Sequence, residues 1–113
     1  MSSLSKKSCV PCRGGIAPLT KNEYEPLLAE LGEEWEVIDT HHLEKTILLK
    51  NFAEALTFTN QVGSIAEKEG HHPDIELGWG RVKIIIWTHK IDGLSESDFI
   101  LAAKISAIGK TAA

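Results

Sequence analysis

Between Asn51 and Glu69 the residues Phe52, Ala55, Leu56, Thr59, Val62, Gly63 and Ala66 recur at helical spacing, while the stretches on either side carry the patterning of strands. A long amphipathic helix between two strand pairs restricts the chain to a sheet covered by helices. The earlier pair is Trp35 to Ile38 and Leu43 to Leu49, rich in Val, Ile, Leu and Thr and divided by the polar turn Asp39-Thr40-His41-His42. The later pair is Ile75, Leu77 and Trp79, then Gly80-Arg81 as a two-residue turn with Gly first, then Val82, Ile84, Ile86 and Thr88. In that hairpin Trp79 lies opposite Val82, and the seven residues line one mostly apolar face. Glu76, Gly78, Lys83, Ile85, Trp87 and His89 take the other.

Two shorter helices complete the order. Thr20 with Glu23 has capping-box spacing, and Tyr24, Leu27, Leu28 and Leu31 mark one face as far as Gly32. Pro26 lacks a backbone donor, which predicts a short or distorted helix. Ser95 with Asp98 suits a helix start, and Phe99, Ala102, Ala103, Ile105 and Ala107 carry an amphipathic run to Ile108 before Gly109. Residues 1–19 read as an irregular arm, 20–108 as the domain and 109–113 as a tail. The expected fold class is α+β, ordered α-β-β-α-β-β-α, with a four-stranded antiparallel sheet and helices on one face.

Of 113 residues, 12 are Lys or Arg and 16 are Asp or Glu, a formal net charge of -4. Such a balance gives no general attraction to phosphate backbones or anionic lipids, so no direct nucleic acid partner is expected. The longest apolar run, Ile84 to Trp87, cannot cross a bilayer, and Met1 to Lys7 lacks the apolar core of a secretory signal. The expectation is a cytoplasmic protein without membrane contact. Cys9 and Cys12 supply too few ligands for a structural zinc site. They also lack the strand-helix-strand setting of a redox motif, so the arm is expected to carry neither chemistry.

The string Glu67-Lys68-Glu69-Gly70-His71-His72-Pro73-Asp74 places two histidines just beyond a helix carboxyl end, where exposed carbonyls favour a protonated imidazole. Pro73 disfavours helical geometry at His72, so the two side chains diverge. The following hairpin returns His89 toward this pair, and Glu67 lies one helical turn away. The group is a candidate acid-base constellation, with a three-histidine metal site as the alternative that spacing leaves open. His41-His42 reads as a solvated surface pair, Asp92 and Asp98 as turn and cap residues, and Lys45, Lys50 and Arg81 as solvated positions. Trp35, Trp79 and Trp87 read as core or interface residues, with Trp87 the best placed toward a ligand because it shares the face of His89.

Glu67, His71-His72-Pro73, Trp79, His89 and Asp98, with the turn Gly93-Leu94-Ser95, resemble the signature of the pterin-4a-carbinolamine dehydratases from about Thr20 to Ile108. The resemblance implies a four-stranded α+β fold assembled as a homodimer or homotetramer. It also implies elimination of water from 4a-hydroxytetrahydropterin to give quinonoid dihydropterin, without metal or organic cofactor, in a pathway partnered by an aromatic amino acid hydroxylase. By the same resemblance His71 and His89 exchange protons at the 4a-hydroxyl and His72 positions the substrate. Glu67, Gly70, Pro73, Trp87, Thr88 and Lys90 complete the expected substrate-binding set. Gly70 departs from the polar residue expected before the histidine pair. A non-catalytic binding, assembly or coactivator protein on the same fold is the rival reading.

Overall fold

The computed structural model describes residues 3–7, 17–32 and 34–112. The elements are α1 (Lys21–Leu31), β1 (Glu36–Ile38), β2 (His42–Leu48), α2 (Phe52–Glu69), β3 (Asp74–Gly78), β4 (Arg81–Ile86) and α3 (Glu96–Ala112), with 3-10 turns at Ser3–Lys6 and His89–Ile91. This is the expected α+β order. Cys9 and Cys12 lie outside the described residues.

The strands form one antiparallel sheet in the order β1-β2-β4-β3. Alternation explains which face is covered: Leu43, Val82, Ile84 and Ile86 have no exposed surface and pack with Phe58, Val62, Phe99 and Ile105 of α2 and α3. On the opposite face Thr46, Leu48, Glu76 and Arg81 are exposed. The β2–β4 register places Leu43 opposite Ile86 and Ile47 opposite Val82, so the two hairpins meet through their inner strands.

Asn51 starts α2 by accepting a hydrogen bond from the Glu54 amide at 2.9 Å, and Gly70 ends it in the left-handed region at φ 66°. Helix α1 runs for 11 residues through Pro26, so the expected shortening does not occur. Its N-terminus is closed by the Thr20 amide donating to Glu23 at 2.8 Å. Helix α3 continues past Ile108 and Gly109 to Ala112, further than periodicity suggested.

The β3–β4 turn differs by one position from expectation. Gly78 pairs with Arg81 and Leu77 with Val82, so Trp79 and Gly80 form the turn and Trp79 is 73% exposed rather than opposite Val82. Gly80 occupies the second turn position at φ 67°. Its carbonyl accepts from the Leu49 amide at 2.8 Å, and a Cβ there would sit 3.0 Å from the Leu49 carbonyl oxygen. The sheet faces are unaffected, because moving both pairing partners by one residue preserves the alternation.

Part of the N-terminal arm belongs to the core. The turn Ser3–Lys6 packs on α3 and buries Leu4 to 1% exposure, while Lys7 pairs with Glu96 at 2.9 Å. An isolated leucine in a polar stretch gives no periodicity from which such an anchor is read.

Candidate active site

The site is built on the end of the sheet where β3 begins and β4 finishes. Beyond Gly70 the His71 amide returns to the Ala66 carbonyl at 3.2 Å, which fixes where the two histidines leave the helix. Their side chains diverge, as Pro73 predicts.

His71 turns inward. Its Nε2 lies 2.6 Å from Asp98 Oδ1, and Asp98 has no exposed surface. The second carboxylate oxygen accepts from Thr88 Oγ1 at 2.9 Å and from the Ser95 amide at 2.8 Å, and Thr88 Oγ1 is 2.8 Å from Ser95 Oγ. A carboxylate only accepts, so His71 donates from Nε2 and its Nδ1 remains the nitrogen through which a proton can be exchanged with a ligand. Asp98 was expected as a helix cap; it caps α3 and also orients His71.

His72 turns outward and meets Glu67 at 2.5 Å, with both side chains more than half exposed. Gly70 is exposed, Pro73 half-buried and Thr88 buried beneath the site. The reading of His89 as the end of a strand needs correction, because β4 stops at Ile86 and His89 opens the 3-10 turn His89–Ile91. The Thr88 amide donates to Gly93 at 2.8 Å and pinches that turn into a small loop carrying His89 and Lys90, both exposed. The loop is braced by the chain entering α1: Leu19 donates to the Leu94 carbonyl at 2.8 Å, and a Cβ on Gly93 would lie 2.5 Å from Pro18 Cβ.

His89 belongs to a second group. Its ring lies 4.3 Å from that of Trp87, which in turn lies 5.4 Å from His41 and 6.2 Å from His42, centre to centre. The expectation that His41 and His42 are merely solvated is therefore overturned. Their Nδ1 atoms are 3.1 Å apart, His41 Nε2 is 2.7 Å from Asp92, and His42 Nε2 is 2.8 Å from Glu44. The His42 hydrogen bond, with the Lys83 charge nearby, holds the Glu44 carboxyl below the usual carboxylate range. The two groups meet where Thr88, bonded to Asp98, adjoins His89.

Local spacing could not find His41 and His42, because their neighbours are tertiary. The signal is the β2–β4 register: with Leu43 opposite Ile86, the next pair along is His42 and Trp87. The other tryptophans lie elsewhere, Trp35 in the core with Nε1 donating to Ser106 at 2.7 Å and Trp79 at the far turn. Lys45 is also less solvated than expected; its side chain is 12% exposed and pairs with Glu34 at 2.7 Å. Among the described residues no group of three or more His, Cys, Asp or Glu has metal-holding geometry, and no helix is long and apolar enough to cross a membrane.

A family described as pterin 4 alpha carbinolamine dehydratase matches residues 17–108 of the chain. A protein of Alkaliphilus metalliredigens, provisionally named pterin-4-alpha-carbinolamine dehydratase, is 56% identical over 105 residues, covering 93% of this chain and 95% of its own. A Rubrobacter xylanophilus protein with the same provisional name is 54% identical over 108 residues, covering 96% and 100%. Among solved structures, a transcriptional coactivator/pterin dehydratase from Brucella melitensis superposes with a TM-score of 0.75 at 32% identity, covering 80% of this chain and 97% of that one.

Proposed function

The chain belongs to the pterin-4-alpha-carbinolamine dehydratase family, and on that premise we propose that it dehydrates 4a-hydroxytetrahydropterin to quinonoid dihydropterin by histidine acid-base catalysis. The observation that carries the reading is the His71 imidazole, fixed at Nε2 by a buried carboxylate 2.6 Å away, with Nδ1 left for proton exchange. Hydroxide is a poor leaving group, and a positioned general acid contributes about 10²–10⁴ in rate. In the proposed step one imidazolium protonates the 4a-hydroxyl oxygen as the carbon–oxygen bond breaks. The adjacent ring nitrogen forms the new double bond to carbon and yields its proton to a second imidazole. One water leaves and the enzyme's net proton count is unchanged.

His71 and His89 take these two roles. His72 and Glu67, at the exposed rim, position the pterin, with Gly70, Pro73, Trp87, Thr88 and Lys90 forming the surrounding contacts. The reading needs no metal. Assembly as a homodimer or homotetramer, a cytoplasmic location and service to an aromatic amino acid hydroxylase belong to the same proposal. Purified, chelator-treated protein should accelerate loss of enzymatically generated 4a-hydroxytetrahydropterin over its spontaneous dehydration.

A second reading, a non-catalytic coactivator role, is favoured by the description of the Brucella melitensis relative as a transcriptional coactivator as well as a dehydratase. Folded protein that binds a pterin without accelerating its dehydration would favour that role.

A further inference from the structure

We propose that His41, His42 and Asp92 form a clasp that holds Trp87 as a platform for the His89 imidazole, making them positioning residues for the reaction above. The inference rests on the dehydratase reading only for its effect on turnover; the clasp itself is a matter of geometry.

Three observations converge. First, His89 is exposed and opens a three-residue 3-10 turn, a setting in which a lone imidazole has little to fix its rotamer. Its ring lies 4.3 Å from that of Trp87 at 43°, in direct ring-to-ring contact, so Trp87 defines where the imidazole stands. Second, Trp87 follows the last residue of β4 and is met by the rings of His41 and His42. Third, Asp92 closes the turn that His89 opens, its amide donating to the His89 carbonyl at 3.2 Å, and its carboxylate binds His41 at 2.7 Å. A single side chain therefore joins the loop carrying His89 to the β1–β2 turn.

The hydrogen bonding of the clasp is chemically specific. Asp92 and Glu44 accept only, so the Nε2 atoms of His41 and His42 both donate outward. The 3.1 Å approach of the two Nδ1 atoms is attractive only when one of them carries a proton and the other does not. Three protons on two rings satisfy every bond in the chain Asp92, His41, His42, Glu44. Individually these partly exposed pairs are weak. Jointly they orient an indole that a single exposed pair would leave free to turn.

The test compares wild type with the His41→Leu, His42→Leu double variant by two readouts. In wild type the His89 ring proton resonances, assigned by their loss in His89→Gln, are displaced by the Trp87 ring current. In the double variant they move toward the positions of a histidine far from any ring, and kcat falls about tenfold with KM changed less than twofold, as misplacement of a reacting group predicts. Replacing both by glutamine, which keeps a donor near each Nε2 position, restores most of the rate. Unchanged His89 resonances, or an unchanged kcat in an active enzyme, would overturn the clasp. The resonance readout needs no turnover, so an inactive wild type would sink the dehydratase reading while the clasp is still decided. If the double variant does not fold, Asp92→Gly removes the acceptor at the outer end of the clasp, at a side chain 88% exposed and a positive φ that glycine tolerates, and is read in the same two ways.

Discussion

His71 and Asp98, 27 residues apart in sequence, are joined by a 2.6 Å hydrogen bond in which the carboxylate has no exposed surface and the imidazole side chain is 15% exposed. An exposed loop histidine would turn freely; this one is held by a group that Thr88 and Ser95 hold in turn. Its Nδ1 is thereby presented in one orientation and with one tautomer preferred.

Replacing Asp98 by asparagine should therefore lower turnover by up to about 10⁴, because the amide no longer fixes the Nε2-protonated tautomer of His71. Asp98→Ala should in addition cost about 3 kcal/mol or more, because it leaves His71, Thr88 and the Ser95 amide facing a buried gap. Steady-state kinetics and urea denaturation separate the two effects.

His71→Ala and His89→Ala should each reduce kcat by about 10²–10⁴; the unfolding midpoint should change little in His89→Ala and fall in His71→Ala, which leaves the buried Asp98 carboxylate short of a donor. His72→Ala should act chiefly on KM, and its loss of stability should stay within about 0.5 kcal/mol, since its ion pair with Glu67 is at the surface. Kinetics on the three variants would contradict the division of roles if His72→Ala carried the largest loss of kcat.

The elements were legible in the chain because their signals are local. Helix α2 is marked by period and by its two caps, Asn51 and Gly70, and each strand by alternation. Trp79 was misplaced because two turn positions one residue apart give the same faces. Only the close approach of Gly80 to Leu49, a contact between hairpins, selects between them. The site was legible to the same extent: the His71-His72-Pro73 string announces itself. The inward turn of Asp98 and the meeting of His41 with Trp87 depend on the order of strands and the seating of α3, which no local pattern encodes.

Two substitutions, one in the core and one in a turn, check the parts that sequence did not foresee. Leu4→Ala should destabilise the domain by about 2–5 kcal/mol, the cost of emptying a leucine site. Trp79→Ser should leave stability within about 0.5 kcal/mol, because its ring lies in a turn rather than on the covered face. Chemical denaturation of both variants distinguishes this arrangement from one in which the arm is detached and Trp79 is core.

Glu44 offers a pH-dependent check on the clasp. Its folded-state pKa is depressed, first by the His42 hydrogen bond and then by Lys83. The stabilisation it provides is therefore present above the unfolded glutamate value of about 4.3 and lost as pH falls through the lower folded value. Carbon-detected titration should place the Glu44 midpoint below that value in wild type and return it upward in His42→Leu.

Catalysis at the proposed His71–Asp98 site is read from the rate at which metal-free protein converts 4a-hydroxytetrahydropterin to quinonoid dihydropterin, followed by absorbance against the uncatalysed reaction. Clear acceleration by wild type, lost in a His71→Ala, His89→Ala double variant of unchanged fold, is the expected result. An equal rate in that variant, or no acceleration by folded wild type, would contradict it.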